Sequence, residues 1–565
     1  MTRPFERGVE GALLLATLAF FALLKSYGLA PALSDENIYF YDAWLMSQGF
    51  APYRDFFFAH PPLHLVPGWL VVVATGGFSL FTLKLLAPAA AGISGVCVYL
   101  ILRRVAAFPA AWAGMSLFLF SHDLLRASSH WTGVNSALAW LCLGVVAALA
   151  ARAATAGVLF ALGVCTAIYV APGAAACVLL LGVLRPRDGL RCAGAALLTW
   201  LAVNLVALAV GGEGYLDGVY RYHLLKPVVA GSGMGGALGE LLFHDFFVLA
   251  APLYSAPLLL RAAWRKRRSG AELRELCDPA RHPRLATGIW CTAIWLVGLL
   301  FLALLNRVFH YYFLIVFPAA AVCGGLFVDC LLGELRMVFA TLRAGAGHRG
   351  PSPPRRAAWV AGLMLASLVV GFLLYPRFEH ALPYFERNQG RTRRYRPPPS
   401  PLPQALQWRP GWQAERVVGE RYSGIQYYLW HESRTFEELR VMAAVVARSA
   451  APGERIFGDS VSTPLVSLLS GVEIVDRFSD TNAMRFEAGL PPPEQAVARL
   501  EAAVERKEQP LVWLLLNPGR GIARVEPLRR FFEARFDVIR SFPTRHHGTF
   551  RLMRRRGTPE EGTRD

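Results

Sequence analysis

The chain has 565 residues, 54% of them hydrophobic and 17% charged, with a formal net charge of +18. Its mean hydropathy of +0.37 excludes disorder for most of its length, because disordered segments need low hydrophobicity and high charge. One soluble core could not bury so much apolar surface, and a lipid bilayer is the natural place for the excess.

The first apolar run is Val9 to Ala30, preceded by Arg3 and Arg7. It is too long for a signal-peptide core and lacks a good cleavage site, so it is expected to anchor the chain with the N-terminus inside. Further apolar runs lie near 79–102, 109–121, 133–151, 156–169, 171–184, 190–211, 241–262, 285–305, 311–334 and 358–375, giving about eleven spans. Three of them, 109–121, 156–169 and 171–184, are short against the roughly 20 residues that a spanning helix needs. The run 63–75 is placed at the outer membrane face. Loops then assigned inside carry most of the basic residues, among them Arg103–Arg104, Arg185, Arg187, Arg191, Arg265–Lys266–Arg267–Arg268 and Arg355–Arg356. This is the positive-inside pattern of a multi-pass inner-membrane protein with a cytoplasmic N-terminus and a periplasmic C-terminal part. It fits loops facing anionic headgroups, not a nucleic-acid groove. The nine cysteines lie at or before Cys330, mostly in apolar runs, and none has zinc spacing.

Beyond Pro376 the texture changes. A Pro- and Arg-rich linker, 376–410, leads to residues 411–565. There Arg455–Asp459, Val472–Phe478, Leu511–Leu516 and Thr549–Met553 are expected as strands. Thr463–Ser470, Glu494–Lys507 and Val525–Ala534 are expected as helices. Alternation of this kind argues a small external α/β domain, set on a membrane domain at 1–375.

The chemistry-bearing stretch is the first external loop, 31–62, PALSDENIYFYDAWLMSQGFAPYRDFFFAHPP. Ser34-Asp35-Glu36-Asn37 has the composition of a helix N-terminus, with Ser34 or Asp35 as cap. Tyr39, Phe40, Ala43, Trp44 and Met46 then suit an amphipathic face lying on the membrane. The loop packs acidic, basic, aromatic and imidazole groups right after a membrane helix. A second cluster, Asn306-Arg307-Val308-Phe309-His310-Tyr311-Tyr312, precedes another apolar run.

The pattern Asp-Glu-x-x-Tyr, then Gly-x-x-Pro-Tyr-x-Asp, then His-Pro-Pro resembles the first external loop of GT-C glycosyltransferases. The nearest branch is the family 39-like group of protein mannosyltransferases and lipid A aminoarabinose transferases. The resemblance implies a polytopic α-helical GT-C-like fold. It also implies an inverting glycosyltransferase that takes a hexosyl or pentosyl group from a polyprenyl-phosphate donor to a lipid, glycan or protein acceptor. Asp35 would be the base, with Glu36 orienting Asp35 or the acceptor. Tyr53, Arg54, Asp55, His60, Arg307, His310 and Tyr311 would bind the donor phosphate or substrate. The family's phosphate-contacting lysine is replaced here by His60, so Arg54 or Arg307 would supply the missing charge. No cofactor is expected; two carboxylates in one loop have the chemistry to bind a divalent metal, but the resemblance does not demand one.

Plainer readings stand beside these. Asp35 and Glu36 could cap a helix, Arg54 and Asp55 could form a surface ion pair, His60 could cap the next helix, and His310-Tyr311-Tyr312 could be an interfacial aromatic belt. His122, Asp123, Arg126, His130 and Asn135 could line the same cavity or flank spans, and His223 and Lys226 are equally open. Gly231–Gly236 matches GxGxxG, but no strand precedes it, so it is expected as an external loop. The alternative function is a lipid or sugar transporter or flippase without chemistry. Near-absence of carboxylates from the expected spans argues against that.

Overall fold

Proline sets where many of the apolar helices begin. The computed structural model describes residues 4–26, 33–227, 245–305, 307–343, 435–544 and 548–557, with 31, 234, 235, 237 and 238. Within these, helices Phe108–Leu119, Ala171–Leu184, Pro186–Gly211 and Pro283–Leu304 each carry proline in the first turn. There the missing N–H has no intrahelical partner to lose. Pro172-Gly173 therefore marks a helix start.

Among the described residues, five helical stretches are long and apolar enough to cross a membrane: Gly8–Ser26, Thr82–Arg103, Pro186–Gly211, Pro283–Leu304 and Tyr311–Met337. Shorter apolar helices, including Gly133–Leu149 and Ala153–Val164, pack among them. The expected span at 358–375, the linker at 376–410 and most of Gly231–Gly236 lie outside the described residues. Small residues permit close approach: a Cβ on Gly157 would stand 2.1 Å from the Cys192 carbonyl oxygen, so helices Ala153–Val164 and Pro186–Gly211 meet backbone to backbone.

The C-terminal part is a four-stranded sheet of order β1-β2-β4-β3: β1 Arg455–Gly458, β2 Leu511–Leu516, β3 Phe536–Thr544 and β4 Gly548–Arg555. β1 runs parallel to β2, and β4 pairs antiparallel with both β2 and β3. All six residues of β2 are buried, which explains its unbroken apolar run. Helices Thr463–Ser470, Pro493–Val504 and Glu526–Arg535 lie within two residues of expectation at their starts. The expected strand Val472–Phe478 is instead a 3-10 turn, Val475–Arg477, with one bridge from Ile474 to Ile456. Asp476 and Arg477 have positive φ there, 46° and 56°, which no strand accommodates.

Helix Glu36–Ser47 corrects another expectation. Glu36–Ala43 and Leu45 are all buried, so no amphipathic face lies on lipid; a helix apolar all round belongs to a core. Trp131 stacks on Phe40 from one side, with ring centroids 5.9 Å apart. The C-terminal domain covers another: Asn37 Nδ2 donates to the Val461 carbonyl (2.6 Å), and the Ile474 amide donates to Tyr41 Oη (3.1 Å). Arg477 and Arg485 sit over Phe50 and Phe57, 3.7 and 3.9 Å from the ring centroids. First loop and C-terminal sheet thus share one hydrophobic core.

Candidate active site

Asp35 occupies the N-cap position of helix Glu36–Ser47, yet its side chain makes no capping hydrogen bond. Its carboxylate faces a cavity of about 130 Å³ lined by Tyr39, His60, His130, Tyr169, Tyr311 and Tyr312, among others. That is room for about four waters or for the reacting head of a larger ligand. Asp35 is exposed and opens onto this space, in a neighbourhood crowded with protein. Burial, reinforced by the nearby Asp480 carboxylate, raises its pKa to about 6, against the opposing pull of Lys226 and Arg307.

Glu36, one residue on, does something different. It is fully buried and ion-paired to Lys84 Nζ at 2.9 and 3.0 Å. It also accepts the Trp131 amide at 3.1 Å and lies 3.4 Å from His130 Nδ1. Burial alone would raise its pKa; Lys84 and then His130 reverse this and hold it at about 2. Lys84 further donates to the Ser129 carbonyl, and Lys25 donates to Ser129 Oγ. Glu36 therefore ties the loop to helix Leu80–Lys84 and to the segment His130-Trp131, and its oxygens are engaged by protein. This fits a positioning role better than direct contact with an acceptor.

His60 receives from or donates to Tyr39 Oη at 2.8 Å and stacks on His64 at 4.9 Å. Burial, then His64, His223 and Lys226, depress its pKa well below the ordinary range, so it is neutral and supplies no charge to a phosphate. His223 Nε2 carries a hydrogen toward the Ala59 carbonyl at 2.7 Å, since that oxygen can only accept. Tyr53 donates to the His60 carbonyl at 2.7 Å. It is pressed against the segment 213–221: a Cβ on Gly214 would stand 2.2 Å from the Tyr53 carbonyl oxygen. It buttresses the loop.

Arg54 and Asp55 pair at 2.9 Å at the surface, where the Arg54 side chain is 59% exposed, and Asp55 also accepts the Ala51 amide. The plain surface-pair reading holds for them. Arg54→Ala is expected to change transfer less than about twofold and stability by under about 0.5 kcal/mol, read from turnover and thermal unfolding. Arg307 is in electrostatic reach of Asp35; its guanidinium lies 4.8 Å from the Phe309 ring centroid and 2.7 Å from Met484 Sδ. Tyr311 lines the cavity. His310 opens the 3-10 turn His310–Val316, and its side chain lies outside the described residues.

Two contributors, Lys84 and Asp480, were not singled out as site residues from the sequence, and a third, Lys226, was left open. Lys84 was a lone cation in an apolar run, a recognised mark of a paired intramembrane charge. Lys226 follows helix Tyr222–Leu225 and interacts electrostatically with Asp35, Asp480 and Arg307. Asp480, from the C-terminal domain, accepts the Asn482 amide at 3.0 Å and is held near Arg485. Asp480→Asn removes a negative charge that disfavours ionised Asp35. The acidic limb of the rate profile is therefore expected to move to lower pH, measured as kcat/KM from pH 5 to 8.

Among the described residues, His122, Asp123 and Asp245 bring ligand-capable atoms within 4.8 Å of one another. Asp245 already accepts the His122 and Asp123 amides at 2.8 and 2.7 Å, so it serves as cap of helix His122–Ala127.

No family model and no curated protein matches the chain. Solved structures do. ArnT from Cupriavidus metallidurans bound to undecaprenyl phosphate is similar over 98% of this chain and 98% of its own, at 15% identity and a TM-score of 0.57. Apo ArnT from the same organism is similar over 96% of this chain and 97% of its own, at 14% identity and a TM-score of 0.55. A fainter likeness is to an oligosaccharyltransferase, AglB from Archaeoglobus fulgidus, with 14% identity over 91% of this chain and 70% of that one and a TM-score of 0.39. From end to end, in apolar helices and C-terminal sheet alike, this chain is a polytopic membrane protein of the GT-C fold.

Proposed function

We propose that this protein is a membrane glycosyltransferase. It moves a sugar from a polyprenyl-phosphate carrier to an acceptor hydroxyl at the outer face of the inner membrane. The reading rests above all on Asp35: an uncapped carboxylate opening onto a cavity, with Lys226 and Arg307 in electrostatic reach. The solved ArnT with undecaprenyl phosphate gives a precedent for such a ligand on this fold.

Asp35 removes the acceptor proton as the acceptor oxygen bonds to the anomeric carbon. The bond from that carbon to the phosphate oxygen breaks with its electron pair, and polyprenyl phosphate leaves. Its charge is met by Arg307 and Lys226 in place of the absent family lysine. No covalent enzyme intermediate is needed, so the configuration inverts. Tyr39, Tyr169 and Tyr311 wall the cavity and exclude bulk water. Residues 1–375 form the membrane catalytic unit, 376–410 the linker and 411–565 an external domain that contributes Asp480 to the charge balance. The N-terminus is cytoplasmic.

Because ionised Asp35 is the active form and its pKa is raised to about 6, activity is lost as pH falls through that value and is full above it. The test is mass spectrometry of glycans, glycolipids and glycoproteins from a deletion strain, complemented with wild-type or Asp35→Asn protein. A sugar missing from one species and restored only by wild type supports the reading; an unchanged profile opposes it.

A further inference from the structure

A second cavity, about 410 Å³, lies between helices Phe246–Arg268, Pro283–Leu304 and Phe317–Arg343. It is far from Asp35. Helix Phe317–Arg343 begins just after the cavity residues Tyr311 and Tyr312, and Cys330, in the second cavity, is about 20 Å further along it at 1.5 Å per residue. Helix Pro283–Leu304 likewise starts at this cavity and ends near Arg307. The second cavity therefore sits at the opposite, basic end of the bundle.

Its walls and rim differ in chemistry. Leu259 and Phe327 line the inside, while Arg265, Lys266, Arg281 and Arg284 stand at the edge. Arg284 is neutralised by Asp329 at 2.8 Å, and Arg281 by Glu275. Arg265 and Lys266 have no ion-pair partner among the described residues. Beside them, Leu260 and Trp264 are 69% and 54% exposed, an apolar surface with an aromatic anchor of the kind found at a membrane boundary. An apolar slot under two unneutralised cations complements one ligand chemistry: a phosphodiester head with an acyl chain.

The geometry points to a seat for one anionic membrane phospholipid, its headgroup on Arg265 and Lys266 and its chain against Leu259 and Phe327. This site is separate from the transfer chemistry and stands or falls without it.

The test is native mass spectrometry of the purified full-length protein titrated with phosphatidylglycerol or phosphatidylcholine. One phosphatidylglycerol is expected to be retained in clear preference to phosphatidylcholine. Joint Arg265→Ala and Lys266→Ala substitution should weaken it about thirtyfold, from the usual contribution of two basic residues at a charged surface. Ala262→Trp, which fills the cavity and keeps both charges, should also abolish retention; it guards against a double variant that fails to fold. Equal retention of the two lipids, or retention unchanged in both variants, overturns the proposal. So does displacement of the lipid by millimolar inorganic phosphate, which would indicate a soluble-anion site.

Discussion

Asp35→Asn is expected to lower transfer by at least about a thousandfold, within the range that a positioned general base supplies. The substitution keeps size and removes only the proton acceptor. Because the Asp35 side chain makes no capping hydrogen bond, helix Glu36–Ser47 has nothing to lose, and the variant should unfold at nearly the wild-type temperature. Its affinity for undecaprenyl phosphate should be kept or slightly raised, since a negative charge near the phosphate is gone. Retained turnover in purified Asn variant, given a lipid-linked donor, would remove Asp35 from the chemistry. Loss of folding with loss of activity would make Asp35 structural instead.

The second large effect falls on stability. Lys84→Met leaves the Glu36 carboxylate buried without its cation, and Glu36→Gln leaves Lys84 in the same state. Breaking a buried pair from one side costs about 3–5 kcal/mol, while replacing both partners with groups of similar volume costs much less. Each single variant should therefore unfold well below wild type in a thermal scan, and the double variant should regain most of the loss. A double variant destabilised by the sum of the two single losses would show that the charges act independently. The pH sign is also fixed. Glu36 is depressed to about 2, so its contribution is present above the ordinary carboxylate range and is lost only as pH falls through about 2. A rate change between pH 5 and 7 therefore does not come from this pair, and Asp35, raised to about 6, titrates in that window.

The parts of this site that lie close in the chain were legible from the residues. Asp35 was marked by its place after the first apolar run, and Tyr311 by an aromatic cluster before another. Lys226 and Asp480 gain their meaning only from long-range packing, which brings segments 222–226 and 478–482 to the first loop. Glu36 looked equivalent to its neighbour because adjacency in a motif does not show partners; both line the cavity, but only Glu36 is paired with Lys84. The charge of Arg54 is visible in sequence, while its exposure and its pairing with Asp55 are not. In the C-terminal domain β2 was plain because it is buried on every side. β3 was hidden: five of its nine residues are exposed in a row, so no period-2 signal survives.

The most direct measurement is an experimental structure of the full chain with undecaprenyl phosphate bound. The phosphate is expected in the cavity beside Asp35, contacted by Arg307 and Lys226, with Glu36 still held by Lys84. A phosphate bound outside that cavity, out of reach of both cations and of Asp35, would contradict the catalytic assignment.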